Sequence, residues 1–171
     1  TDHWVSQDLL ILDVDNDGNE DDMSLQEAYK AMSGFKCLIS TTASHQKGKI
    51  IGNREVPPSD RYRIIIALTE KISCTAQEYT DAMKLLLNNM FPFADKKCSD
   101  PARFYFGASN AEYKYFDGEL FDFSEIVIRS KSAIKTKQKI VPMEYKEYTG
   151  DNLIDDFNKG NDIRVLLTRY G

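Results

Sequence analysis

The sequence predicts a mixed α+β fold, and three observations carry that expectation. Short runs rich in β-branched and aromatic residues interleave with segments of helical periodicity. No glycine fingerprint of a doubly wound dinucleotide fold links a strand to the helix that follows. Apolar residues make up 42% of the 171 and charged residues 29%, the balance of a globular chain that can build a core without disulfide staples.

The elements follow in order. Leu9-Leu10-Ile11-Leu12 is a buried strand that runs into an acidic turn broken at Asp17-Gly18-Asn19. Ser24 caps a helix, with Glu27 completing a capping box, and Gly34 stops it. Phe35 to Thr42 is a second strand, and Ala43 to Asp60 a polar loop carrying Gly48, Gly52 and Pro57-Pro58. Tyr62 to Leu68 is a third strand. Thr75 caps the next helix, where Tyr79, Met83, Leu86, Leu87 and Met90 recur on one side before Pro92 ends it. Arg103 to Phe106 reads as a fourth strand, and Tyr113 to Asp117 with Glu119 to Phe123 as a hairpin or two short strands. Helices are expected from about Asn152 and over Asp162 to Tyr170.

Composition also excludes some functions. Cys37, Cys74 and Cys98 form no CxxC pair, which argues against a zinc knuckle and for reduced thiols in a cytoplasm. No apolar run approaches the roughly 18 residues that span a bilayer, and no leader-like segment opens the chain. The start at Thr1 and the stop at Gly171 suggest a piece of a longer protein. The net charge is −5, but charge is segregated. Six acids (Asp13, Asp15, Asp17, Glu20, Asp21, Asp22) crowd one turn, whereas Arg129 to Lys139 holds five bases and no acid.

Asp13-Val14-Asp15 is the strongest chemical feature. Strand alternation sends both carboxylates to one face about 7 Å apart. Hard oxygen ligands at a strand end suit Mg²⁺ or Mn²⁺ that also grips a phosphate. A solvated acidic turn is the plain alternative. Asp13, Asp15, Asp17 and Gly18 also match the start of an EF-hand loop, but its twelfth position is Ser24 rather than a bidentate Glu. The same pair resembles the nucleophile and acid of haloacid dehalogenase-type phosphatases, although Asp17 stands where that motif has Thr or Val.

Ser44, His45 and Lys47 lie in a loop of small hydroxyl residues that can surround a triphosphate. Arg61 and Arg63 share one face of the third strand and are placed to reach a phosphate beside His45. Asp95 and Asp100 compete to supply a third carboxylate, since two-metal nucleotidyl transfer needs about three from separate elements.

In sequence order these features resemble the archaeo-eukaryotic primase superfamily, and within it the primase-polymerase domains of phages, plasmids and integrated elements. The resemblance rests on Asp13-Val14-Asp15, Ala43-Ser44-His45 and Phe93-Ala94-Asp95. Thr42 to His45 followed by Arg61-Tyr62-Arg63 adds to it, as does Asp95 followed by Ala102-Arg103, Gly107 and Asn110. That last pattern selects Asp95 over Asp100. The resemblance implies an RRM-like mixed or antiparallel sheet with flanking helices and an active site on the open face. It implies that Asp13, Asp15 and Asp95 hold two metal ions. His45 would contact the incoming triphosphate, Ser44, Lys47, Arg61 and Arg63 would assist, and Arg103 and Lys114 would touch DNA. The implied activity is template-directed nucleotidyl transfer, a DNA primase or polymerase acting on single-stranded template and nucleoside triphosphates in replication of a mobile element.

Two parts are expected, a catalytic core over 1–128 and a basic tether with a helical appendage over 129–171. The appendage would lead to a helicase or helical domain. The alternatives are a magnesium-dependent phosphohydrolase using Asp13, and a non-catalytic nucleic-acid-binding replication module.

Overall fold

The computed structural model describes residues 4–138, with side chains to residue 133. They belong almost entirely to one compact unit, Thr1–Thr136; a second, Lys137–Gly171, lies nearly all outside the described residues. The helices expected beyond Asn152 therefore also lie outside them.

The fold is α+β. Its elements are β1 (Gln7–Asp15), α1 (Leu25–Met32), β2 (Lys36–Thr41), β3 (Lys49–Ile51), β4 (Arg54–Val56), β5 (Arg61–Ile72), α2 (Ala76–Asn89), β6 (Tyr113–Asp117) and α3 (Phe123–Gln138). Four strands form one sheet in the order β1-β5-β2-β6, every neighbouring pair antiparallel. Hence β1 and β2 are parallel with β5 between them, and β5 and β6 are parallel with β2 between them. These are two interlocked split β-α-β units.

Period-two alternation decides which face is covered. Leu10, Leu12, Val14, Cys37, Ile39, Ile64 and Ile66 are buried and share one core cluster with Ala28 and Met32 of α1, Ala82, Met83 and Leu86 of α2, and Phe123 of α3. Each large aliphatic chain so removed from water contributes roughly 1.5–3 kcal/mol. The opposite face carries Ile11, Asp13, Leu38, Ser40, Arg63 and Ile65, all only partly buried. It is the open face.

Local signals explain the helix starts. Ser24 and Thr75 each accept from the amide three residues on, and Glu27 and Glu78 return the bond to the cap amide. Replacing Ser24 with Ala should cost about 1 kcal/mol in chemical denaturation, because α1 then loses a donor's partner at its first turn. A loss under a few tenths would show that packing alone holds that end.

Four expectations need correction. Arg103 to Phe106 forms no strand: Phe104 and Phe106 are both exposed, so alternation there has no core to face. The loop 43–60 contains a hairpin, β3–β4, turned at Gly52 with φ +60°. Glu119 and Phe121 make only isolated bridges to Phe35 and Leu68 before α3 begins. The basic stretch is no extended tether as far as Gln138, because α3 continues through it. No helix of the described residues is long and apolar enough to cross a membrane.

Candidate active site

The topology brings the C-terminal ends of β1 and β2 and the N-terminal end of β5 to one end of the sheet. There Asp13 faces Arg63 and Asp15 faces Arg61 across the β1–β5 ladder. The third acid arrives from the loop after α2. The Asp95 amide donates to the Asp13 carbonyl at 2.8 Å, so this loop docks on the free edge of β1 beside the first acid. Asp100 is placed otherwise, paired with Arg103 at 3.2 Å.

Asp13 lies under the charge of both partners. Burial first, offset by Arg63, and then the charges of Asp15 and Asp95 leave its carboxyl above the usual carboxylate value. A raised native value means that the ionised form is disfavoured by folding. Its contribution to stability is full below pH 3.8 and lost as pH rises through the raised value. A cation at this point would relieve that cost.

The cations already present are protein side chains. Arg63 Nε lies 3.0 Å from Asp13 Oδ1. Arg61 Nε lies 2.6 Å from Asp15 Oδ1, and its Nη2 lies 3.5 Å from Asp17 Oδ1. Lys49, on β3, contacts both Asp15 and Asp17. Four carboxylates thus face three cations, and one negative charge is in excess. Among the described residues no three His, Cys, Asp or Glu side chains sit close enough to make a ready metal cage. The donors are of the right chemistry for Mg²⁺ or Mn²⁺, hard oxygens from separate elements, but those of Asp15 are turned to Arg61 and Lys49.

Asp95 also caps its own turn. Its Oδ1 accepts the Lys97 amide at 2.9 Å, and the Cys98 thiol donates to Oδ2 at 3.7 Å. Burial first and then Asp95 push that thiol up to about 12, so it stays protonated as a donor.

Arg61 does something other than reach a phosphate. It is 2% exposed. Its Nη1 donates to the carbonyls of Ser44 and Lys47, so one side chain joins the histidine loop to the acidic strand end. Arg61 is a strut, and its burial removes it from direct nucleotide contact.

His45 sits behind that strut. Its Nδ1 accepts the Arg61 amide at 3.2 Å, and Nε2 lies 4.0 Å from Asp60. The imidazole is engaged by Asp60 and the Arg61 backbone and makes no bond to Asp13, Asp15 or Asp95. Asp60 in turn accepts from the Gln46 side chain and from the Leu25 amide that opens α1. Gln46 follows with φ +54°, a conformation that costs a non-glycine residue and that its bond to Asp60 helps to hold. The Lys47 ammonium donates to the Ala43 carbonyl, closing the loop on itself.

The two expected DNA contacts separate. Arg103 stays near the β1 edge, bonded to Asp100 and the Lys97 carbonyl. Lys114 pairs with Ile39, a core position, and its ammonium sits over the Tyr29 and Phe116 rings. It therefore belongs to the helix-covered side, away from the acids.

Sequence reasoning passed over Lys49, Lys96 and Lys97. The last two are exposed and line a cleft of about 490 Å³ with Asp15, Asp17, Asp21, Asp22 and Asp95. Their signal was in the sequence, two lysines directly after the third acid. Lys49 had none, since only the hairpin brings it to Asp15.

Three comparisons with known proteins complete the description: no family model matches the chain, and no curated protein or solved structure matches it either.

Proposed function

We propose that this chain is a primase-polymerase domain that joins nucleotides on a single-stranded DNA template, with Asp13, Asp15 and Asp95 as the carboxylates of a two-metal site. The single observation that carries this proposal is the backbone bond from Asp95 to Asp13, which delivers an acid some eighty residues distant to the end of β1. The antiparallel sheet with helices on one face supports an RRM-like core of the kind the primase resemblance implies.

Bound Mg²⁺ or Mn²⁺ would supply charge neutralisation of the triphosphate and activation of the attacking 3′-hydroxyl. The chain's own residues would do the positioning. Asp13, Asp15 and Asp95 would hold the cations, Asp13 and Asp15 from β1 and Asp95 from the loop docked on its edge. Arg63, partly exposed beside Asp13, and Lys96 and Lys97 across the cleft offer charge to the phosphates. Arg61 ties the loop of Ser44, His45 and Lys47 to the acidic strand end, and a triphosphate that reached His45 would have to draw its Nε2 from Asp60.

The phosphohydrolase alternative uses Asp13 and Asp15 alone and leaves the docking of Asp95 unexplained. A non-catalytic nucleic-acid-binding module is favoured by one observation, that Arg61, Arg63 and Lys49 already balance most of the acidic charge. Primer extension separates the three. With template, primer, nucleoside triphosphates and Mn²⁺, the chain should add nucleotides and Asp13→Ala should add none. Phosphate release without template would favour the hydrolase. No turnover, with DNA binding unchanged in Asp13→Ala, would favour the binding module.

A further inference from the structure

The β3–β4 hairpin stands apart from the main sheet and forms a two-stranded sheet of its own. Its one buried side chain, Val56, lies outside the main core cluster, and Ile50 is 72% exposed. Apolar burial therefore does little to hold it down. We propose that this hairpin is a latch over the acidic strand end, closed by Lys49 on Asp15 and Asp17 and opened when a divalent cation takes those carboxylates. The inference rests on the reading of Asp15 as a metal ligand, although the latch contacts themselves do not depend on it.

The base of the hairpin is anchored. The Gln46 amide donates to the Ser59 carbonyl at 2.9 Å, the Ser59 hydroxyl donates to the Asn16 carbonyl at 2.6 Å, and Arg61 holds the Lys47 carbonyl. Beyond that base, among the described residues, two side chains make the hairpin's polar bonds to the rest of the chain. Lys49, from β3, contacts Asp15, and its Nζ lies 2.8 Å from Asp17 Oδ1. Arg54, from β4, donates through Nη2 to the Asp17 carbonyl at 2.9 Å. The acidic turn is shaped to receive it, because a β-carbon on Gly18 would stand only 2.8 Å from that same nitrogen. Each strand of the hairpin thus grips the turn once.

Lys49 occupies the place of a cation. It bridges Asp15 and Asp17 from one side, while Arg61 bridges the same two acids from another. With both in place the two acids are neutralised, and a divalent ion gains little by approaching them. The two bases differ in how readily they leave. Arg61 is 2% exposed and tied to two carbonyls. The Lys49 side chain is 28% exposed, a hydrated point charge on a flexible stem, and partly exposed pairs of this kind are weak in water. Asp15 and Asp17 also line the cleft of about 490 Å³, so an ion reaches them without the hairpin moving first. Once there it repels the ammonium, and the hairpin loses one of its two grips. Cation uptake and hairpin release are then linked equilibria, each favouring the other.

Hydrogen exchange over residues 49–56 of the whole chain tests this, together with Mn²⁺ titration followed by electron paramagnetic resonance. In the wild type, Mg²⁺ should speed exchange over 49–56 severalfold. Lys49→Met should exchange quickly there without metal. It should also bind Mn²⁺ about fivefold more tightly, the worth of the partly exposed pair it removes. Lys49→Arg keeps the charge and should stay near the wild type in both readouts. In an Asp15→Asn background, Lys49→Met should bring no gain in Mn²⁺ affinity. Unchanged or slower exchange with Mg²⁺, or Lys49→Met that binds Mn²⁺ no better than the wild type, would overturn the proposal. So would a gain that persists with Asp15→Asn, since the ion would then lie elsewhere. Hairpin release by Mg²⁺ in a chain that adds no nucleotides would count against the polymerase assignment alone. Nucleotide addition by a chain whose hairpin ignores Mg²⁺ would count against the latch alone.

Discussion

Asp95→Asn should reduce nucleotide addition by at least about a hundredfold, while Asp100→Asn should keep most of it. The magnitude is that of removing one preorganised charged group from a phosphoryl-transfer site. The substitution is discriminating because Asn keeps an oxygen able to accept the Lys97 amide. The turn that Asp95 caps therefore survives, the backbone bond to Asp13 survives with it, and what is lost is the charge and the long thiol bond from Cys98. Asp100 makes one partly exposed pair with Arg103, a contact worth about 1 kcal/mol at most. Single-turnover extension with saturating primer checks both variants. Equal activity in Asp95→Asn and wild type would reduce Asp95 to a turn cap, and a larger defect in Asp100→Asn would move the third ligand to residue 100.

Arg61→Met should be the most destabilising substitution at the site, costing about 3 kcal/mol. Methionine fills much of the volume but none of the bonds. The Lys47 carbonyl loses its guanidinium donor, the Ser44 carbonyl keeps only the Lys47 amide, and Asp15 and Asp17 are left facing each other with Lys49 as the remaining cation paired to both. For a unit of this size that loss lowers the melting temperature by roughly 10 °C. Arg63→Met should cost far less, because Arg63 is partly exposed and its partner keeps access to water. Thermal and urea denaturation of the two variants compares them. Similar small losses would mean that Arg61 is no strut and that the histidine loop is held by Asp60 alone.

These expectations also mark what the sequence made legible. The period of two paired Asp13 with Asp15 on one face of β1 and Arg61 with Arg63 on one face of β5, and the register then sets the two pairs opposite each other. The cap residues Ser24 and Thr75 marked two helix starts, and the structure completes a capping box at both, the second with Glu78. The hairpin β3–β4 was harder to see, because its three-residue strands bury only Val56 and show no apolar alternation. The start of α3 had a signal in Asp122, whose carboxylate accepts the Ser124 and Glu125 amides, but the basic run beyond it hid the helical period. Arg61's burial had no signal at all. It arises because a loop 17 residues away folds its carbonyls over the strand, and no local pattern encodes that approach.

Anomalous diffraction from crystals soaked in Mn²⁺ and a non-hydrolysable triphosphate examines the shared-cation arrangement without relying on turnover. A peak bridging the carboxylates of residues 13 and 95, with Arg63 swung off Asp13, is the predicted result. A peak held by Asp21 and Asp22 alone, with Asp13 still on Arg63, would contradict it, and the acids at the end of β1 would then be an ion-pair cluster that holds the fold.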